Sequence, residues 1–229
     1  MAAKAVRQPL SRERVLAAAV ALADAEGVKA LTMRRLAADL GVEAMSLYHH
    51  LPAKEALLDG VVETVVAEIH AAVGGNATSD RDEDWQTRLR RQFLAARQIM
   101  LRHPWVPGLL GSRRTIPVGL YAYYDGIVGT LLGAGFSHRL AHRAMHAFGS
   151  LPLGFAQEIF SPSSAGGSME DDVAEADLAA MADALPHLTA MVATEIHDVT
   201  DPTLGWCDGQ TEFEFTLDLL LGGLERLRA

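Results

Sequence analysis

The chain has 229 residues, 49% of them hydrophobic and 6% aromatic, with a formal net charge of −9. That length allows one large or two small domains with a substantial core, and the overall acidity argues against a nonspecific nucleic-acid binder. The single cysteine, Cys207, cannot close an intramolecular disulfide, which fits a reducing cytoplasm. Charge is unevenly spread. Residues 1–54 hold eight Lys or Arg against five Asp or Glu, a balance of +3, and residues 55–229 hold twelve against twenty-four, a balance of −12. A basic piece on an acidic body suits a DNA-reading head joined to a domain with another task.

Met1 to Leu10 is short, polar and basic, with no apolar core for export. Lys4 and Arg7 there either reach phosphate or stay solvated. Ser11 caps a first helix running to about Glu26, with Val15, Leu16, Ala19, Leu22 and Ala23 as its apolar stripe and Gly27 as its stop. Val28 leads into Leu31 to Lys54, LTMRRLAADLGVEAMSLYHHLPAK. Thr32 is an N-cap, and Leu36, Ala37 and Leu40 then share one helix face. Gly41 ends that helix, because glycine takes the left-handed conformation without a Cβ penalty. Val42, Leu47 and Leu51 begin a second pattern at once. Two helices joined by so short a turn cross steeply, as in a helix-turn-helix. On the second, the core does not need Glu43, Ala44, Met45, Ser46, Tyr48 or His49, which form a face free to enter a major groove. Arg34 and Arg35 flank that face and Lys54 follows it, all suited to hold phosphate. Residues 1–54 are therefore expected to form a three-helix DNA-binding domain.

Residues 55–229 are expected to form a helical regulatory domain. Pro52 ends the second helix of the motif. Ala53 opens a longer one to about Val73, carrying Leu57, Leu58, Val61, Val62, Val65 and Ile69. After Gly74-Gly75-Asn76 and the acidic run Asp80 to Asp84, a helix from about Asp82 to Arg102 has Trp85, Leu89, Phe93, Ala96 and Met100 on one face. His103-Pro104-Trp105 stops it, with His103 expected to partner the last carbonyls. Val106 to Arg114 reads as a broken segment, and Tyr121 to Leu132 as a helix closed by Gly133 and Gly135. Val118 to Phe136 approaches membrane-span length, but Asp125 and five glycines make it a buried helix of a bundle, so no membrane partner is expected. Ser137 caps a helix to about Phe160, and Ser161 to Ser168 is a low-complexity stretch. Glu170 to about Asp198 is helical with a kink at Pro186, Asp201 to Gly209 is a turn-rich loop, and Thr211 to Leu227 is the last helix. No alternating pattern supports a sheet, and the fold class is all-α.

The strings LTMRRLAADLGV and SLYHHLPAK, with the EALLD that follows, resemble the tetracycline-repressor family of bacterial one-component regulators, closely from about Leu10 to Asp59. The resemblance implies that Arg34 and the opening turns of the second helix, with Ala44, Met45 and Ser46, read bases, and that Tyr48 and Lys54 bind phosphate. His49 either meets phosphate or is a surface histidine without a role. Ser46 replaces a threonine and keeps the hydroxyl. Ala44 and Met45 stand where those repressors carry glutamine and proline, so the operator should differ. Contact with thymine methyls replaces a bidentate adenine contact. In the body, His70 and Gln92 match residues that touch the drug in tetracycline repressors. Leu110 falls where they place a metal-binding histidine, so metal-bound tetracycline is not the expected ligand.

Phe93, Trp105, Tyr121, Tyr123, Tyr124, Phe148 and Phe155 cluster where Pro104, Pro107 and Pro117 break the helices, which favours an apolar cavity beside the core. The expected ligand residues are His70, Gln92, Phe93, Trp105, Tyr123 and Phe148. His138, His142 and His146 share a helix face. The outer two lie about 12 Å apart along the axis, too far for all three to hold one ion. No metal, no cofactor and no enzymatic motif is expected. Dimerisation is expected through Ala141, Ala144, Met145, Phe148 and Leu151 and through Phe215, Leu219, Leu220 and Leu224. The expectation is a cytoplasmic homodimeric repressor, released from a palindromic operator on double-stranded DNA by a largely apolar small molecule. The rival is a helical ligand-binding or enzymatic protein that has lost DNA binding.

Overall fold

The computed structural model describes residues 9–74, 83–113, 115–155, 184–194 and 209–228. The expectations for Lys4 and Arg7, the acidic run at 80–82, Arg114, the end of the helix to Phe160, the stretches 161–168, 170–183 and 201–208, and Cys207 lie outside those residues. The described residues contain helices and no strand. Among them, no helix is long and apolar enough to cross a membrane.

The chain divides into two units, the first Met1–Arg81 with Gln98–Ile127 and the second Asp82–Arg97 with Val128–Ala229. In the first, α1 spans Arg12–Glu26, and Ser11 Oγ accepts the Arg14 N–H at 3.2 Å. A 3-10 turn at Val28–Ala30 leads to α2, Met33–Leu40, whose N-cap Thr32 accepts from the Arg35 N–H at 3.1 Å. Gly41 has φ 64° and ψ 39°, the left-handed conformation foreseen for it. Its N–H bonds the Ala38 carbonyl and the Val42 N–H bonds the Ala37 carbonyl, which satisfies two of the carbonyls a helix end leaves free. α3 is the five-residue helix Ala44–Tyr48, and α4 runs from Lys54 to Gly74.

Leu47 from α3 is fully buried with Leu16 of α1, Leu36 of α2 and Leu57, Val61 and Val62 of α4. The core that carries α1–α3 thus continues along α4 and reaches Leu109. Gly60 allows the approach of α1 to α4, since a Cβ there would lie 2.6 Å from Leu16 Cδ2.

α5 spans Trp85–Arg102, α6 Val106–Ser112 and α7 Val118–Gly133. The stretch expected to be broken is therefore a helix, because Pro107 sits in its first turn, where the missing N–H has no intrahelical partner to lose. α7 begins three residues before Tyr121 for a similar reason: Pro117 precedes it and its carbonyl accepts the Leu120 N–H at 3.0 Å. α8 is His138–Phe155, capped by Ser137, and continues past Pro152. α9 is Pro186–Thr194 and α10 is Gly209–Arg228.

In the second unit α8 packs on α10. Phe93 stacks on Phe148 at 4.8 Å, and Trp85 meets Phe136 edge-on at 4.8 Å. The buried Arg97 donates to the Gly209 carbonyl at 2.5 Å and to Gln210 Oε1 at 3.0 Å, and lies 4.6 Å from the Phe213 ring centroid. Arg90 pairs with Glu214 at 2.5 Å and Asp218 at 3.0 Å.

Ala141, Ala144, Phe148 and Leu151, expected to meet a second copy, are buried within the chain, as is Leu224. Periodicity marks a residue as needing cover and does not say which chain supplies it. On α10, Phe215 is 60% and Leu219 56% exposed. Met145 and Leu220 are half-buried.

Candidate nucleic-acid interface and ligand site

The helix-turn-helix geometry rests on a division of labour within α3. Leu47 is the buried anchor at 0% exposure, whereas Met45 is 70% and Tyr48 41% exposed. His49 is exposed, and Ala44 and Ser46 are half-buried along the same short element. Arg34 is exposed on α2, and Lys54 is exposed at the first position of α4. These seven residues therefore lie on two sides of one turn and at the start of the following helix. Arg35 differs. Its guanidinium bonds Glu26 at 2.8 Å and Asp39 at 3.2 Å, so phosphate would compete with two carboxylates.

The expected ligand residues separate into two groups. In the first unit, His70 Nε2 bonds the Gly119 carbonyl, and its ring meets Tyr123 edge-on at 6.1 Å. Tyr123 and Tyr124 lie edge to face at 5.7 Å, and burial pushes both phenols above their ordinary pKa. Both hydroxyls stay protonated across the physiological range. Trp105 is elsewhere in that unit. It packs against the head core and its indole N–H donates to Asp24 Oδ1 at 2.7 Å. In the second unit, Gln92 is 6% exposed on α5, next in sequence to Phe93, whose buried ring stacks on that of Phe148.

One histidine expectation changes. His103 does not serve the α5 carbonyls with its side chain. Its Nδ1 is 2.7 Å from Asp24 Oδ1 and its Nε2 is 3.4 Å from Glu68 Oε2. Both partners are distant in sequence, 79 and 35 residues away, so no local spacing could have revealed them. On α8, His142 and His146 meet with their Nε2 atoms 3.3 Å apart, a pairing that i, i+4 spacing allows. No cluster of three or more His, Cys, Asp or Glu suited to a metal occurs among the described residues.

A buried leucine holding a short exposed helix across a glycine turn defines a helix-turn-helix protein. A family model described as bacterial regulatory proteins, tetR family, matches residues 15–61, and one described as tetracyclin repressor-like, C-terminal domain, matches residues 78–228. The chain belongs to the tetracycline-repressor family of bacterial regulatory proteins. An HTH-type transcriptional regulator of Saccharopolyspora erythraea is 30% identical over 127 residues, 56% of this chain and 51% of its own, so the match spans about half of that relative. The class C tetracycline repressor protein of Escherichia coli is 29% identical over 220 residues, 96% of this chain and 92% of that one. Among solved structures, a possible TetR family transcriptional regulator from Streptomyces coelicolor A3(2) superposes with a TM-score of 0.73 at 31% identity, covering 95% of this chain and all of that one.

Proposed function

We propose that the protein is a ligand-responsive DNA-binding transcriptional repressor. It acts in the cytoplasm as a homodimer on a palindromic operator and leaves it when a small molecule binds. The observation that carries this reading is α3, on which Leu47 alone is fully buried while Met45 and Tyr48 are solvent-exposed. A helix held by one residue leaves its remaining side chains for the major groove. Arg34 and the opening of α3, with Ala44, Met45 and Ser46, read bases. Tyr48, His49 and Lys54 hold the phosphate backbone, which fixes register without carrying sequence information.

The ligand reading draws on a smaller set of facts. Taken separately, His70 with Tyr123 in the first unit, and Gln92 next in sequence to Phe93 in the second, each set aromatic rings near a polar group, the composition a small-molecule site draws on. Leu110 offers no imidazole where tetracycline repressors bind metal, which favours a largely apolar ligand taken without an ion. The second copy covers Phe215 and Leu219 on α10, exposed apolar side chains that a twofold partner would bury. No catalytic role and no cofactor is part of this reading.

The test is selection of binding sites from random duplexes by the full chain, followed by footprinting. Enrichment of an inverted repeat is the expected result. Equal binding of random and selected DNA would overturn the reading and leave the protein a ligand-binding helical domain.

A further inference from the structure

α8 carries a feature that neither base reading nor the candidate ligand residues use. His142 and His146 are both exposed and lie one turn apart on that helix. Their Nε2 atoms are 3.3 Å apart, their ring centroids 4.8 Å apart, and their ring planes stand at 82°. Both residues belong to one helix, so the meeting follows from i, i+4 spacing and needs no second element.

Two readings of that separation compete. As a hydrogen bond it is long, since well-formed N–H···O bonds fall at about 2.7–3.2 Å. As the bite of a chelate it fits. Zinc holds imidazole nitrogen at about 2.0–2.1 Å, and two such nitrogens at the tetrahedral angle stand roughly 3.3–3.4 Å apart. Spacing alone excludes one ion shared with His138 as well, but it says nothing of the distance between ring nitrogens within the pair.

The surroundings select the ion. α8 contains no Asp or Glu, and the exposed Arg139 and Arg143 each stand three residues before one of the two histidines. Mg²⁺ and Ca²⁺ require oxygen ligands, which this face does not offer. Imidazole suits Zn²⁺, Ni²⁺ and Cu²⁺, which it binds through a lone pair rather than through net charge. The two guanidiniums disfavour an ion held by charge alone, and as exposed groups they are screened by salt. Among the described residues no third ligand joins the pair, so water completes the coordination and the ion exchanges with solvent.

We propose that His142 and His146 form an exchangeable two-imidazole chelate on α8 for one late first-row divalent cation of the zinc class. The site is independent of DNA reading and of the small-molecule residues.

Two measurements test it. The first is Zn²⁺ titration of the untagged full chain against a chromophoric chelator, at mildly alkaline pH where ordinary imidazoles are neutral. The wild type is expected to take up one more Zn²⁺ per chain than the double variant His142→Ala/His146→Ala, whatever other histidines bind. Partners of a metal ligand are themselves worth about 10- to 100-fold in affinity, so loss of one ligand should cost the single variants about tenfold or more. His138→Ala should match the wild type, and excess Mg²⁺ should leave the curve unchanged. Equal uptake by the wild type and the double variant overturns the site. An equal loss in His138→Ala overturns the assignment to this pair, and displacement by Mg²⁺ overturns the class of ion. Alanine at exposed helix positions favours the helix, and circular dichroism checks that the variants stay folded. The second measurement is anomalous diffraction at the zinc edge from crystals grown with Zn²⁺. A peak about 2.0–2.1 Å from both Nε2 atoms is expected. A peak on one ring only, or none at the pair, overturns the chelate.

Discussion

Met45 gives the sharpest prediction for base reading. Fully burying a methionine side chain contributes roughly 1.5–3 kcal/mol. Met45 is 70% exposed in the free protein, so most of that remains to be gained on DNA, about 1–2 kcal/mol per chain. At about 1.4 kcal/mol per tenfold, its loss lowers affinity for the preferred site by roughly 5- to 30-fold per chain. A thioether has no bidentate pattern to offer a base, so the proposed reading gives it the C5-methyl of thymine as its partner. One methyl is worth about 0.8 kcal/mol, or roughly fourfold, when buried. The assay is competition binding at fixed salt with operators in which single thymines are replaced by deoxyuridine, which lacks only that methyl. The wild type should lose about fourfold at one thymine of each half-site, so about 16-fold when both halves are changed. Met45→Ala should bind the two operators equally and keep the wild-type salt dependence, because no charge is removed. If Met45→Ala discriminates thymine from deoxyuridine as the wild type does, or if the wild type ignores every replacement, the reasoning is refuted.

Other substitutions probe other links. Lys54→Ala should weaken all sites and reduce the slope of log affinity against log salt by about 0.9 per chain, read from titrations at several salt concentrations. Thr32→Ala removes the oxygen that accepts the Arg35 N–H and should destabilise by about 1 kcal/mol in denaturant unfolding, while Thr32→Ser should not. Leu219→Arg should split the dimer in light scattering with helix content retained, whereas Leu217→Arg, at a fully buried position, should unfold the chain. Asp84 Oδ1 accepts the N–H groups of Gln86 and Thr87, and the Thr87 bonds hold its carboxyl below the ordinary aspartate range. A depressed carboxyl contributes stability above its unfolded pKa and loses it as pH falls through the folded one. Asp84→Ala should therefore flatten the acid side of the stability profile; the residue is exposed, so the effect is small.

The head was legible because its signals are local. Ser11, Thr32 and Gly41 each act within four residues, and the structure has all three in the roles their chemistry dictates. α6 was not legible because Pro107 was read as a breaker, when in a first turn it is tolerated. The apolar stripe of α8 was correctly apolar but is covered by its own chain. The bonds of His103 join elements far apart in sequence, and charge and spacing carry no trace of them. Of the candidate ligand residues, the sequence could nominate aromatics; which rings would meet was a matter of packing, as with Phe93 and Phe148.

The short α3 also bears on how such a regulator changes over time. Of its five residues only Leu47 is fully committed to the interior. Replacing Met45 or Tyr48 therefore removes little packing, and substitutions on an exposed face ordinarily shift stability by under about 0.5 kcal/mol. On the proposed reading, recognition can drift at these positions almost independently of folding. A lineage could acquire a new operator by one or two substitutions without passing through an unstable intermediate, while Leu47 stays fixed by the core beneath it.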